Sequence, residues 1–275
     1  MFYKLLLGPG VEKGFLLLGA LFALQLKGHL VRINEFIGVS VGAIVAFYLV
    51  IGISFNELFE EALQFNLFDN WRDLDVFNWF FSKGSKGIVS ASKIRDRLEF
   101  WMRRKYGRNL TFLELNQITG KKFIVTVTDR RDSEHPRPLY LSYENYPNYS
   151  VVDAVLESCT IPGVIEQKNP DFVDGAFSDP LPVQLLGKEP SIVFILRDNE
   201  TVQDSNILTK PFEKILDTFL IPMKVLIDQK IQNISEKTMA IVLRRDSYNF
   251  IPRALSSKEK IDLIKSGFKQ TINLV

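Results

Sequence analysis

Two short stretches of the chain carry residues that can do chemistry. The first is "GVSVG", Gly38 to Gly42, inside "EFIGVSVGAIVAFYLV". It fits the G-x-S-x-G pattern, in which a serine is forced out of a sharp strand-to-helix corner and exposed as a nucleophile. Gly38 and Gly42 suit that corner, since they remove side chains where the backbone turns hard and where strand and helix come close. Ser40 would then open the following helix, whose positive end favours a developing alkoxide. The same residues also read as three small residues in an apolar helix. Phe36 to Phe55 carry no charge, and about 20 such residues is the length of a membrane span.

A serine hydroxyl is a poor nucleophile until a base takes its proton. Histidine is the usual base, and the chain has 2. His29 precedes the elbow in "KGHLVR", and His135 lies in the charged loop "RRDSEHPRP". In the chain order Ser, acid, His of α/β-hydrolases, only His135 follows Ser40, and its setting is that of a solvated loop. A carboxylate base is therefore expected. "NPDFVDGAFSDPLPV" is the second stretch: Asp174 ends a short apolar run and is followed by Gly175 and Ala176, a small-residue turn that lets a substrate approach. Asp171 and Asp179 flank it beside turn residues, as solvated or capping groups would.

The elements that must position these groups alternate. "FYKLLL", "INEFIGV", "KKFIVTVTD", "PLYLS", "SIVFILR" and "MAIVLRR" read as strands. Helices are expected from about Lys13 to Lys27, from about Val41, and near 55–65, 90–105, 151–158, 210–235 and 257–270. Short, continuously apolar strands separated by helical segments predict an α/β domain with a largely parallel sheet covered on both faces. No internal repeat, low-complexity tract or clean linker interrupts the chain, so residues 1–275 are expected to form one domain.

Composition narrows the function classes. Of 275 residues, 46% are hydrophobic, enough for a sizeable core. The formal net charge of +2, from 34 basic and 32 acidic residues, is too balanced for a dedicated nucleic-acid binder. The single cysteine, Cys159, leaves no internal disulfide and no cysteine-rich zinc site, and it fits a reducing, cytoplasmic compartment. "KGFLLLGALFALQLK" has the basic-then-apolar form of a signal peptide. Glu12 just before it and the lack of a small-residue cleavage site favour an apolar helix directly after an apolar strand.

Taken together, the motifs resemble those of the patatin-like phospholipases over most of the chain. The family's Ser–Asp dyad, in G-x-S-x-G and D-G-[GA], falls on Ser40 and Asp174. "DAVLESCTIPGVIEQ", with Ile161 and Pro162, is similar to the segment before D-G-[GA]; "LPV", "LTFLELNQITGKKFIVTVTD" and the tail "SSKEKIDLIKSGFKQTINL" also fit. The resemblance implies a three-layer α/β/α fold with a central, mostly parallel sheet, in which the elbow strand and helix are buried rather than membrane-spanning. It implies a lipid acyl hydrolase of the phospholipase A type that works through an acyl-enzyme, independent of calcium. No calcium loop or His-rich set is visible, so no metal or other cofactor is expected.

The first family motif departs from its pattern. Patatin-like proteins carry G-G-G-x-[KR]-G after the first strand, whose amides form the oxyanion hole; here the text is "GPGVEKG". Aligning Lys13 and Gly14 with the basic residue and last glycine puts Pro9, Gly10 and Val11 over the three glycines. Proline has no N–H, which leaves Gly10 and Val11 as the hole. Shifted by one residue, Gly8-Pro9-Gly10 is the triplet and the central donor is lost. Loss of one such donor costs about 100- to 1000-fold in rate, so the alternative expectation is a weak or inactive lipid-binding or regulatory protein. Lys13 orders this loop, attracts lipid phosphate, or is a solvated helix-start lysine.

Lipid substrates imply peripheral contact with a phospholipid membrane; whether a protein activator is needed stays open. The aromatic-rich region 55–84, "FNELFEEALQFNLFDNWRDLDVFNWFF", reads either as packing over the sheet or as an apolar surface that docks on lipid or lines an acyl pocket. "RRKYGR", Arg103 to Arg108, is a candidate contact. So is the segment about 208–235, whose near-helical pattern, broken by Pro222, suits a surface helix, a lid or an interfacial helix.

Overall fold

The computed structural model describes residues 1–66, 90–199, 210–245 and 254–275. The chain starts with β1 (Lys4–Leu7), a 3-10 turn (Val11–Lys13), α1 (Gly14–Leu26), β2 (Glu35–Val39), α2 (Val41–Val50) and α3 (Phe55–Gln64). Next come α4 (Ala91–Tyr106), α5 (Phe112–Thr119), β3 (Lys122–Asp129), β4 (Arg137–Leu141), α6 (Val151–Ser158) and β5 (Phe172–Asp174). The described elements end with β6 (Ser191–Asp198), α7 (Lys210–Ile231), β7 (Thr238–Arg245) and α8 (Ser257–Ile272).

One sheet takes the order β4-β3-β2-β1-β6-β7. Strands β3, β2, β1, β6 and β7 run parallel; β4 and β5 are antiparallel to β3. Strand β1 lies at the centre, and Leu5, Leu6 and Leu7 are fully buried. Burying each leucine contributes about 1.5–3 kcal/mol. A strand covered on both faces must be apolar at every position, which is why this one reads as a continuous run rather than an alternation.

The same reasoning accounts for the uncharged segment. Residues 35–50 divide into β2, a turn at Ser40 and the helix Val41–Val50, 10 residues long. At 1.5 Å per residue that helix is about 15 Å long, half of a bilayer's hydrocarbon core. It is apolar on all sides because protein surrounds it. Among the described residues no helix is long and apolar enough to cross a membrane.

Helix α8, at the C-terminal end, is part of this fold. It packs on α1 at a backbone crossing where a side chain on Gly267 would lie 2.0 Å from the Leu16 carbonyl oxygen. Its first turn brings the buried ammonium of Lys260 onto the carbonyl oxygens of Leu63 (2.8 Å) and Phe65 (2.7 Å). These are end-of-helix acceptors of α3, which a cation satisfies. Phe55 and Phe59 of α3 turn toward α1 and meet the Phe22 ring at tilted and edge-on angles, so this part of the aromatic region is half-buried and packs against the core. The rest of that region, from Phe68 through Phe81, lies outside the described residues, as does the start of the 208–235 segment.

Two expectations need correction. Pro222 does not break α7, which is continuous from Lys210 to Ile231. Proline removes one N–H donor and crowds one carbonyl, and at an exposed position the freed carbonyl can turn to water. Phe219, Leu220, Met223 and Ile227 face inward, while Ile221 and Val225 face solvent, as in a helix laid over the sheet. In addition, α5 was not anticipated, although Thr111 and Glu114 form a capping box at its start and Gly120 ends it in the left-handed conformation. The α8–α1 crossing leaves no room for a methyl group. Gly267→Ala is therefore expected to cost about 1–3 kcal/mol, read as a lower denaturant midpoint with an unchanged slope.

Candidate active site

Ser40 occupies the corner between β2 and α2 with φ 56° and ψ −128°, a strained conformation for a residue with a side chain. Gly38 is the next-to-last residue of β2 and Gly42 the second residue of α2. A side chain on Gly42 would sit 2.1 Å from the Leu7 carbonyl oxygen, so the helix could not approach β1 with any other residue there. The site thus lies at the carboxyl ends of the central parallel strands, where open α/β sheets bind ligands.

Strand register brings the aspartate to this corner. Thr126 of β3 pairs with Val39, the last residue of β2, and the next residue of β3, Val127, pairs with Asp174. The opposite edge of β3 is occupied by β4 over the same residues. Strand β5 therefore continues the line of β2 beyond its end, and Asp174 meets the residue that follows Val39.

The Asp174 carboxyl is fully buried. Its Oδ1 accepts the Ala176 N–H at 2.9 Å, where Gly175 and Ala176 open a short 3-10 turn. Burial, which disfavours the charged form, raises its pKa to about 7; the facing Ser40 hydroxyl and the Ala176 N–H pull it partway back. Oδ2 is buried and has no hydrogen-bond partner at full geometry among the described residues. An unsatisfied carboxylate oxygen with high proton affinity, facing a serine hydroxyl, is an arrangement that can accept a proton.

A three-residue bridge holds the two groups in register, and it was missed in the sequence. The hydroxyl of Ser158, at the end of α6, accepts the Ser40 N–H at 2.9 Å and donates to the Thr126 carbonyl at 2.7 Å. Two residues on, the Thr160 carbonyl accepts the Asp174 N–H at 2.9 Å. The Asp174 carbonyl in turn accepts from the Thr128 hydroxyl at 2.9 Å. Ser158-Cys159-Thr160 thus ties the backbones of both groups to one helix end. The signal was present in "ESCT", but polar residues in a small-residue helix gave no hint of what they would touch.

The loop after β1 has two notable amides. The Gly8 N–H is spent on the Phe194 carbonyl at 3.2 Å, extending the β1–β6 ladder. Those of Gly10 and Val11 have no partner among the described residues. Val11 sits at φ 49°, a left-handed conformation that is unusual for a β-branched residue. Lys13 is buried, not solvated. Its ammonium pairs with Asp198 at the end of β6 at 2.7 Å, while desolvation lowers its pKa. Beside it, Glu12 pairs with Arg245 at the end of β7 at 3.0 Å. Gly14 opens α1 against Val41, which leaves no space for a side chain.

Ser40 and Val11 line a cavity of about 160 Å³. Phe15 and Leu18 of α1, Ile44 of α2, Leu58 of α3 and Leu98 of α4 form much of its wall. The wall is mostly apolar, with Ser40 on it and Glu12, Glu61, Asn66 and Arg97 as polar or charged members.

The remaining candidates lie elsewhere. His135 is exposed in the β3–β4 loop beside Asp132. His29 stacks on Phe2, before β2 and so at the opposite end of the sheet from Ser40. Asp171 is exposed at the end of the β5 loop. Asp179, read as a turn residue, is instead buried: it accepts from Tyr140 Oη at 2.7 Å and lies 3.1 Å from the Lys230 ammonium. The Arg103–Arg108 cluster is partly neutralised, with Arg103 on Glu99, Arg108 on Glu114 and Lys105 near Glu57.

Removing the Ser158 hydroxyl would strand the buried Ser40 N–H and the Thr126 carbonyl. Ser158→Ala is expected to lose about 1–3 kcal/mol of stability, measured by chemical denaturation, whereas Ser158→Thr, which keeps the hydroxyl, should lose less.

Known proteins resemble this chain in sequence and in fold. Residues 5–186 match the family described as patatin-like phospholipase. The chain is 30% identical over 191 residues to the probable lipid hydrolase 463L of Invertebrate iridescent virus 6. It is 31% identical over 169 residues to the triacylglycerol lipase SDP1L of Arabidopsis thaliana. The matches cover 67% and 59% of this chain, but 63% of the viral protein and 19% of the plant protein. Among solved structures, VipD from Legionella pneumophila superposes with a TM-score of 0.65, covering 99% of this chain and 66% of VipD at 16% identity. The type III effector ExoU of Pseudomonas aeruginosa superposes with a TM-score of 0.60, covering 99% of this chain and 52% of ExoU, also at 16% identity. At that identity the superpositions speak for the fold, and the match over residues 5–186 for descent: the chain belongs to the patatin-like phospholipase family.

Proposed function

We propose that the protein, acting as one domain over residues 1–275, is a lipid acyl hydrolase of the phospholipase A type that uses Ser40 as nucleophile and Asp174 as base. The observation that carries this reading is the buried Asp174 carboxyl, with pKa near 7, facing a serine on a strained corner at the mouth of an apolar cavity. The names of the two relatives, a lipid hydrolase and a triacylglycerol lipase, support the reaction class.

In this mechanism an ester acyl chain enters the apolar cavity, and its carbonyl lies over Ser40. Asp174 takes the hydroxyl proton as Oγ bonds to the carbonyl carbon. The carbonyl electrons move to oxygen, and the N–H groups of Gly10 and Val11 receive that charge. Collapse of the adduct breaks the ester C–O bond, and the departing alcohol of the lyso-lipid takes the proton from Asp174. Water then attacks the acyl-enzyme while Asp174 accepts its proton. The second collapse releases the fatty acid and returns the proton to Ser40 Oγ. Lys13, held by Asp198, orders the amide loop. Phospholipid reaches the site from a membrane to which the protein binds peripherally, at the Arg103–Arg108 cluster and the exposed face of α7.

A second reading, a weakly active or inactive lipid-binding protein with or without an activator, is favoured by Pro9 and by the left-handed Val11. Both bear on the loop that must receive the oxyanion.

The test is mass spectrometry of products from mixed phospholipid vesicles. Wild type should release fatty acid and lyso-lipid. Ser40→Ala and Asp174→Asn should each lose about 1000-fold or more in rate, and His135→Ala should stay within about twofold. Asp174 must be deprotonated to act. Because its pKa is raised to about 7, kcat/KM should climb about tenfold per pH unit below 7 and level off above it. No turnover and no fluorophosphonate adduct on folded wild-type protein in the presence of lipid would favour the inactive reading.

A further inference from the structure

The cavity that receives the acyl chain is not apolar throughout, and one of its polar groups has no partner. Tyr48, eight positions after Ser40 on α2, lines the same pocket and is 6% exposed. Its hydroxyl has no hydrogen-bond partner among the described residues; only burial and the nearby charges of Glu61 and Arg97 act on it. Because Tyr48 borders the cavity, its hydroxyl is open to whatever fills that space, and a ligand hydroxyl can pair with it in place of water.

Glu61 and Arg97 also line this part of the wall. They satisfy each other: the guanidinium forks onto both carboxylate oxygens, and Trp101 Nε1 donates to Glu61 at 2.9 Å. The pair leaves no spare unit charge here for a ligand carboxylate or ammonium. A neutral group fits better, and a hydroxyl is apt because it can accept from Tyr48 and donate to Glu61.

Position along the chain follows from helix geometry. Eight residues at 1.5 Å place the Tyr48 backbone about 12 Å from that of Ser40, and helical side chains lean back toward the N-terminus. The phenol therefore meets the middle of a long acyl chain whose carbonyl lies at Ser40, not its first carbons.

We propose that this cavity selects acyl chains bearing a mid-chain hydroxyl, with Tyr48 as the residue that recognises it. The proposal rests on the cavity being the acyl site of the hydrolase described above.

The test is binding, so that it does not depend on turnover. Full-length Ser40→Ala protein is titrated with octadecanoic acid and with its mid-chain monohydroxy isomers, followed by intrinsic tryptophan fluorescence and thermal shift. At least one mid-chain isomer should bind about 3- to 10-fold more tightly than the unsubstituted acid, the margin of one neutral hydrogen bond. Adding Tyr48→Phe should bring that ratio to about one. This variant removes only an unpaired hydroxyl, so its melting temperature should equal or exceed that of its parent. Equal binding of all the acids, binding of none, or a preference that survives Tyr48→Phe would overturn the proposal; a water satisfying Tyr48 would give the first of these. Hydrolysis of unsubstituted phospholipid by wild type in the vesicle assay tests the hydrolase reading separately, so either idea can fail while the other stands.

Discussion

A carboxyl group kept out of water opposite a serine hydroxyl is the constraint to which the rest of this structure answers. An isolated buried carboxylate is costly, and Asp174 meets that cost by holding its proton up to about neutral pH. The fold has to hold a group that would otherwise prefer the surface. It does so through backbone bonds: the Asp174 N–H on Thr160, its carbonyl under Thr128, and β5 paired to β3. The serine side is held similarly, with the Ser40 N–H captured by Ser158 and the helix behind it brought close by Gly42. Positioning by main-chain contacts leaves Asp174 Oδ2 and the Ser40 hydroxyl available for the proton transfer proposed above.

The loop proposed to receive the oxyanion is built on a different principle. Beyond Gly8, which extends the β1–β6 ladder, two ion pairs anchor it to the ends of β6 and β7: Lys13 with Asp198, and Glu12 with Arg245. Both are largely buried, and the value of such pairs lies in specifying a conformation more than in net stability. The left-handed Val11 costs about 1–3 kcal/mol and survives because its neighbours are held on both sides. A glycine would take that backbone without strain, so this chain holds the loop in its left-handed turn with a residue that resists it.

Much of the fold could be read from the chain because burial on both faces leaves a plain mark. The leucines of β1 and the run from Phe36 to Val50 are continuously apolar for that reason, and the caps of α3 and α8 are short-range patterns. Ser40 and Asp174 could be named as candidates because glycines are demanded beside them by close backbone approach. What could not be read depends on register between distant segments. That β5 continues the line of β2 follows from pairings on β3, which no local pattern announces. Ser158 looks like any small helical residue until its partners are known, and Asp179 like any turn aspartate until Tyr140 and Lys230 arrive. Tyr48 hides within an apolar helix, where its ring satisfies the pattern and its hydroxyl does not register.

The most direct measurement is the titration of Asp174 itself. Carbon-13 NMR of protein labelled at the aspartate carboxyls, with the signal assigned through Asp174→Asn, should show a midpoint near 7 that rises further in Ser40→Ala, where the hydroxyl that favours the charged form is gone. A carboxyl that stays ionised down to about pH 4, as an exposed aspartate would, and is indifferent to the loss of Ser40, would contradict the account.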